Sequence, residues 1–297
     1  MPVHVEFSPG PSTVTLSLGM TLLILLAAVM HAGWNVLVKF GNDAFLNMGL
    51  IVGLGGLLAL FVTPFVDFPE SASWIWLFGS CVFHLGYYTF LVMAYRHGEL
   101  SQVYPIARGS APPLVALSSW LLYAQALTPL QAAGVAAISV GILTLAADKP
   151  VDRAHKREAI WFGLLTGLTI MGYTICDGQG IRHAGDTERE QIGYIIWLFV
   201  LDTPLFVIYC FIQRGAEVTI FVRKNWKLGL CAAALSLAAY GIAIIAMRFG
   251  EFAHVSALRE TSVIFAALMS AYLLKERFRK RRYVSVTLVA LGAVLLH

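Results

Sequence analysis

Residues 88–103 read YTFLVMAYRHGELSQV, and residues 240–255 read YGIAIIAMRFGEFAHV. Six positions are identical in this pairing: Tyr88/Tyr240, Ala94/Ala246, Arg96/Arg248, Gly98/Gly250, Glu99/Glu251 and Val103/Val255. After a slip of one residue the match resumes at Arg108/Arg259 and Ser119/Ser270, and it runs through Leu122/Leu273 to Gly141/Gly292. Self-similarity of this kind means that the chain is built from two copies of one unit. Outward from the pair, apolar runs long enough for a helical span (about 20 residues) fall at 16–38, 46–66, 72–96, 100–123, 127–147, 159–182, 190–212, 227–248, 253–274 and 280–297. Each copy then holds five spans. Because five is odd, the second copy must enter the membrane from the opposite face. The predicted fold is an all-α polytopic membrane protein, ten transmembrane helices arranged as two inverted five-helix repeats. The expected divisions are a tail at 1–15, repeats at 16–147 and 159–297, and a cytoplasmic linker at 148–158.

Composition points the same way. Of 297 residues, 58 % are hydrophobic and 13 % charged, with mean hydropathy +0.74. A soluble fold needs about twice that charge share, and disorder needs low hydrophobicity. Continuous rather than alternating apolar runs exclude a barrel. The four cysteines lie in apolar runs without paired spacing, so no disulfide framework or zinc site is expected. The net charge of +4 is a topology signal and not a nucleic-acid patch: 16 of the 21 Lys and Arg fall in the loops after odd-numbered spans, three on the other side. The positive-inside rule puts both termini outside the cytoplasm. With no Lys or Arg in residues 1–15 and a first apolar run too long for a signal-peptide core, no cleavable leader is expected. The chain has no phosphate-binding loop for ATP, no zinc-protease or serine-hydrolase motif and no potassium-filter sequence. Neither enzyme chemistry nor a cofactor or metal is expected.

Polar residues inside the spans mark the candidate site. Arg108 lies eight residues into span four, about 12 Å along a helix, and Arg259 holds the equivalent place in span nine. An arginine at mid-membrane costs about 2.5–3.5 kcal/mol on insertion scales, so it must face a cavity or a partner. Two readings stand: a bidentate grip on a carboxylate or phosphate, or an ion pair with Glu260 or Asp177. Pro105, Pro112 and Pro113 around Arg108 predict a broken helix lining a cavity. His31, Asn35 and Lys39 share one helix face. His31 is either a buried hydrogen-bonding group or a proton carrier, and Lys39 snorkels at the span's end. Asp202, before Pro204, is either a proton-coupling carboxylate or a packing group, and Glu260 is a coupling candidate as well as an ion-pair partner. His84, followed by Tyr87 and Tyr88, either lines the pathway or is a satisfied core histidine, the second being the stronger reading. Trp34, Tyr88, Trp120, Tyr173 and Tyr240 are candidates for an aromatic wall.

Ten spans in two halves, the His31-Ala32-Gly33-Trp34-Asn35…Lys39 stretch and the Tyr104-Pro105-Ile106-Ala107-Arg108-Gly109 stretch together resemble the drug/metabolite transporter superfamily in its EamA-type branch. Lys275-Glu276 fits the family's closing pattern, whereas the first half has Gln125 where glutamate is usual. The resemblance implies a bacterial inner-membrane secondary carrier, often an exporter, for small metabolites such as amino acids, with its cavity between the halves. Trp34 and Asn35 match the family's span-one motif, and Tyr104, Pro105 and Arg108 its span-four motif. With Arg259, Tyr88 and Tyr240 these are the expected substrate-binding residues. The partners are then a small-molecule substrate and the bilayer, with proton coupling or facilitated diffusion both open. A flippase for a phosphate-bearing lipid is the alternative; an intramembrane enzyme or receptor lacks a catalytic cluster or output domain.

Overall fold

A computed structural model describes residues 16–39, 43–97, 100–146, 156–273 and 280–296. These form α1 (Leu18–Lys39), α2 (Ala44–Val62) with a 3-10 turn at Thr63–Phe65, α3 (Ser71–His97), α4 (Leu100–Tyr123) and α5 (Pro129–Ala146). They continue as α6 (Lys156–Arg182), α7 (Glu188–Arg214), α8 (Ala216–Phe249), α9 (Phe252–Arg259), α10 (Ser262–Leu273) and α11 (Lys280–Leu295). No strand occurs among the described residues. The tail at 1–15, most of the linker at 148–158, Gly98, Glu99 and Lys275-Glu276 lie outside them.

Eight stretches among the described residues are long and apolar enough to cross a membrane: α1, α2, α3, α5, α6, α7, α8 and α9 joined to α10. The proline-bearing α4 and the 16-residue α11 fall short of that test. Large apolar side chains such as Phe61, Ile75, Val82, Leu121 and Ile212 point outward, a surface that suits lipid and not water.

Local chemistry sets the helix ends. Asp43 caps α2 by accepting from the amides of Phe45 and Leu46, both at 3.0 Å. Thr187 and Glu190 form a reciprocal capping box at the start of α7. Gly215, at φ +53°, separates α7 from α8 in a conformation that glycine adopts without strain. The segment 213–226, expected as a loop, is therefore helical apart from this one glycine, and α8 begins at Ala216.

The helices pack as two exchanged sets. α1 lies on α8 as α6 lies on α3; α2 meets α8 as α7 meets α3; α4 packs on α6 as α10 packs on α1; and α2 meets α7 while α5 meets α11. The last seam shows the exchange residue by residue. A methyl group on Gly134 would come within 2.8 Å of the Gly292 carbonyl oxygen, and one on Gly141 within 3.1 Å of the Ser285 carbonyl oxygen. Gly134 corresponds to Ser285 in the repeat, and Gly141 to Gly292, so these are the same contact made twice. Gly134→Leu is accordingly expected to force the α5–α11 seam apart at a cost of about 1–3 kcal/mol, read as a lowered Tm of the detergent-solubilised protein. The exchange is imperfect: α4 packs far more extensively on α5 than α10 does on α11. α8 also packs on α6 and α7, and α3 makes no contact of that extent with α1 or α2.

One expectation is overturned. Pro105, Pro112 and Pro113 do not break their helix; α4 runs through all three. Proline's fixed φ is helical, so its cost is a lost backbone hydrogen bond, and in lipid the freed carbonyls must be covered. α6 packs closely along α4 beside them, with Gly163 set against Ile106 and Gly167 within 3.0 Å (from a notional Cβ) of the Ala107 carbonyl oxygen. The break falls in the other repeat, at Glu260-Thr261 between α9 and α10. There the amides of Glu260 and Thr261 bond three residues back, to Ala257 and Leu258, at 3.0 and 3.1 Å, and the Thr261 hydroxyl caps the Leu258 carbonyl at 2.7 Å.

Candidate functional site

The break between α9 and α10 places two charged residues in the interior of the protein. Glu260 reaches across to α4 and pairs with Arg108 at 2.9 Å, with both residues almost fully buried (2 % and 3 % exposed). Of the two acids considered for Arg108, Glu260 and not Asp177 lies within ion-pair distance. Arg108 also touches His31 Nε2 at 3.4 Å and lies 5.9 Å from the Tyr104 ring.

Arg259 is placed differently. It has no carboxylate within ion-pair distance among the described residues, and its guanidinium sits over the Tyr240 ring at 4.9 Å. The reason is legible in the repeat. The residue after Arg259 is Glu260, whereas the residue after its counterpart Arg108 is Gly109. Two equivalent arginines thus share one acid, and it serves Arg108.

A cavity of about 100 Å³ opens between the repeats, with both arginines in its wall. His31 and Trp34 from α1, Tyr87 from α3, Tyr173 from α6, Phe199 from α7 and Tyr240 from α8 supply the aromatic faces. His84 also lines it, stacked on Tyr173 at 4.2 Å with the rings 12° from parallel. The remaining acid in the wall is Asp202, which accepts a hydrogen bond from Tyr88 at 2.6 Å. Asp177 is set one layer back, fully buried, and accepts from the hydroxyls of Tyr194 at 3.1 Å and Tyr240.

Several expected residues lie elsewhere. Asn35 donates to its own helix, to the His31 carbonyl at 2.8 Å, and does not line the cavity. Tyr104 flanks Arg108 without reaching the wall. Trp120 faces outward at 56 % exposure. His31 accepts from the Trp34 indole at 3.3 Å as well as facing Arg108. A neutral imidazole has one acceptor nitrogen and a charged one has none, so the ring can accept from only one of these two donors. Met48, Ile51, Val52, Leu198 and Ser236 complete the wall. Apolar residues in an apolar span carry no mark of this role; His84 and Tyr87, polar and one helical turn apart or less from Tyr88, did carry one.

The two ends of the cavity differ. At one end, the guanidinium of Arg182 donates to the carbonyls of Met247 (3.1 Å) and Gly250 (2.7 Å) and covers the Phe252 ring at 4.2 Å. Arg248 donates to the Ile181 and Gly185 carbonyls at 3.3 and 3.1 Å. The α2–α3 connection is tied to the α6–α7 connection by backbone bonds Glu70 to Ala184 (2.9 Å) and Asp67 to Arg189 (3.3 Å), by an Asp67–Arg189 ion pair at 3.2 Å, and by Phe68 stacked on Trp197. At the other end a vestibule of about 320 Å³, lined by Asp43, Tyr95, Arg96, Gln213 and Arg214, adjoins the cavity through the shared wall residues Met48 and Tyr88.

A sequence model of the EamA-like transporter family matches the chain twice, over residues 18–147 and 158–297. Among solved structures, one crystal structure is similar with a TM-score of 0.70 and 18 % identity, covering 93 % of this chain and 97 % of that chain; at that identity the likeness is one of fold. No curated protein matches the chain.

Proposed function

The chain belongs to the EamA-like transporter family and is a multi-pass membrane protein that transports small molecules; from that premise we propose that it is a secondary carrier for an amino-acid-like metabolite, working by alternating access between two inverted five-span repeats. The observation that carries the reading is Arg259, without a carboxylate partner among the described residues, in a cavity wall that also holds Asp202 and eight aromatic or imidazole rings. The guanidinium takes the substrate carboxylate in a bidentate grip. Asp202 takes the amine, or exchanges a proton with it. Tyr87, Tyr173 and Trp34 pack the organic part. A cavity of about 100 Å³ suits a small solute better than a lipid head group, and the vestibule meets it at the helix ends.

The charge asymmetry of the loops puts the vestibule, with Arg96 and Arg214, on the cytoplasmic side and the sealed end, with Arg182, Arg189 and Arg248, outside. Both termini then lie outside, in the inner membrane of a bacterium, and a pocket entered from the cytoplasm fits export. The repeat supplies the other state. Arg248 now clamps the α6–α7 connection; its counterpart Arg96 is exposed in the vestibule wall, and takes the clamping part when the ends exchange roles. If the seal must open in each cycle, Asp67→Cys with Arg189→Cys will stop transport on oxidation and recover it on reduction. These residues share a backbone hydrogen bond, which sets them within the Cα range that a disulfide spans. Full transport by the oxidised pair would rule alternating access through this seal out.

The direct test is counterflow in proteoliposomes with a mixture of labelled L-amino acids. Wild-type protein is expected to accumulate label and Arg259→Ala is not. Equal accumulation by both would remove the assignment.

A further inference from the structure

Repeat-equivalent tyrosines hold different acids. Tyr88 donates to Asp202 on α7, and Tyr240 donates to Asp177 on α6. Neither acid has a counterpart acid in the first repeat, and neither forms an ion pair with a lysine or arginine among the described residues. The two couples lie on opposite sides of the cavity. Tyr88 borders the vestibule as well as the cavity. Asp177 stands behind Tyr240 and His84, five residues or about 8 Å before Arg182 and the sealed end.

The kind of partner decides what each buried acid can do. A guanidinium only donates, so Glu260 against Arg108 is held as a carboxylate. A tyrosine hydroxyl donates to a carboxylate and accepts from a carboxylic acid without leaving its place. Asp177 and Asp202 can therefore bind and release a proton with little rearrangement, and Glu260 cannot. The groups facing Asp177 are His84, Cys81 and Ser80 from α3, Tyr173 and Cys176 from its own helix, Tyr194 from α7 and Tyr240 from α8, with Arg259 of α9 on the far face of the Tyr240 ring. Those facing Asp202 are Tyr88 and Cys81 from α3, beyond the cavity itself.

We propose that Asp177 is a second proton-binding site, the sealed-side counterpart of Asp202, and that Tyr240 links its occupancy to substrate. An anionic substrate on Arg259 changes the cation over the Tyr240 ring, and the hydroxyl of the same ring holds Asp177. By reciprocity, protonating Asp177 alters the affinity at Arg259. When the seal opens, the proton passes from the Asp177 carboxyl oxygen to water on that side. The substrate part of this inference rests on the proposed carrier reading; the proton site does not.

The experiment is an infrared pH titration of the full chain in vesicles, without substrate, followed through the C=O stretch of protonated carboxyls. Asp177→Asn is expected to remove one titrating component, and Tyr240→Phe to shift the frequency of that same component. Asp202→Asn should remove another, which Tyr88→Phe shifts. An unchanged carboxyl region in folded Asp177→Asn overturns the proposal. Should that variant fail to fold, Tyr240→Phe decides: a shifted component supports the site, and no shift overturns it. In a second arm, vesicles with an internal pH indicator receive an L-amino-acid mixture. Proton flux that is lost in Asp177→Asn while amino-acid exchange continues supports the link to transport, and undiminished flux overturns it. If the wild-type protein responds to no amino acid, the carrier reading fails and the infrared arm alone judges the proton site.

Discussion

Arg259→Ala is expected to weaken substrate binding by about 30-fold or more, with little change in Tm. Truncating one partner of a buried, hydrogen-bonded charge pair costs about 2–5 kcal/mol, and each 1.4 kcal/mol is a factor of ten. Arg259 has no carboxylate partner among the described residues to leave stranded; it stacks on Tyr240 and fronts the cavity. The loss should therefore fall on binding and not on the fold. Arg259→Lys should recover only part of it, since an ammonium keeps the charge but not the planar fork. The measurement is a substrate titration of uptake in proteoliposomes for the three proteins. Equal half-saturation in wild type and Arg259→Ala would mean that the guanidinium does not touch substrate.

Arg108→Ala is expected to do the opposite: a loss of about 3–5 kcal/mol of stability, because Glu260 is left buried with its only ion-pair partner among the described residues gone. Removing both charges with shape-matched residues, Arg108→Met with Glu260→Leu, should restore most of that loss, as apolar replacements of buried pairs often do. Thermal unfolding in detergent of the two single variants and the double variant gives the coupling. If the double variant is as unstable as Arg108→Ala, the pair is not what holds α4 against the α9–α10 break. The two predictions separate residues that the repeat makes equivalent: one arginine reports through binding, the other through stability.

Much of this was legible before any coordinates. The duplicated stretch at 88–103 and 240–255 gave the unit, and the apolar runs gave the helices, because a span must satisfy its backbone internally whatever it packs on. The family followed from the same residues. Arg108 and Arg259 stood out since a charge in an apolar span has few permitted surroundings. The position of the break was not legible. Three prolines in α4 are a stronger local signal than Ser256 to Ser262, yet α4 is continuous and the second repeat breaks. A proline's fixed φ suits a helix, so whether it breaks one depends on the packing around it, and α6, which packs on α4, is some 50 residues away in the chain.

The sequence by itself determined the number of copies, the approximate helices and which polar groups had to face inward, since each follows from the local cost of placing a residue in hydrocarbon. Only the tertiary structure decided who partners whom: Glu260 with Arg108, leaving Arg259 without an acid among the described residues; Asp202 with Tyr88; Asp177 with Tyr240. Pairing depends on distances between helices that the chain brings together from far apart, and no spacing along one helix encodes it.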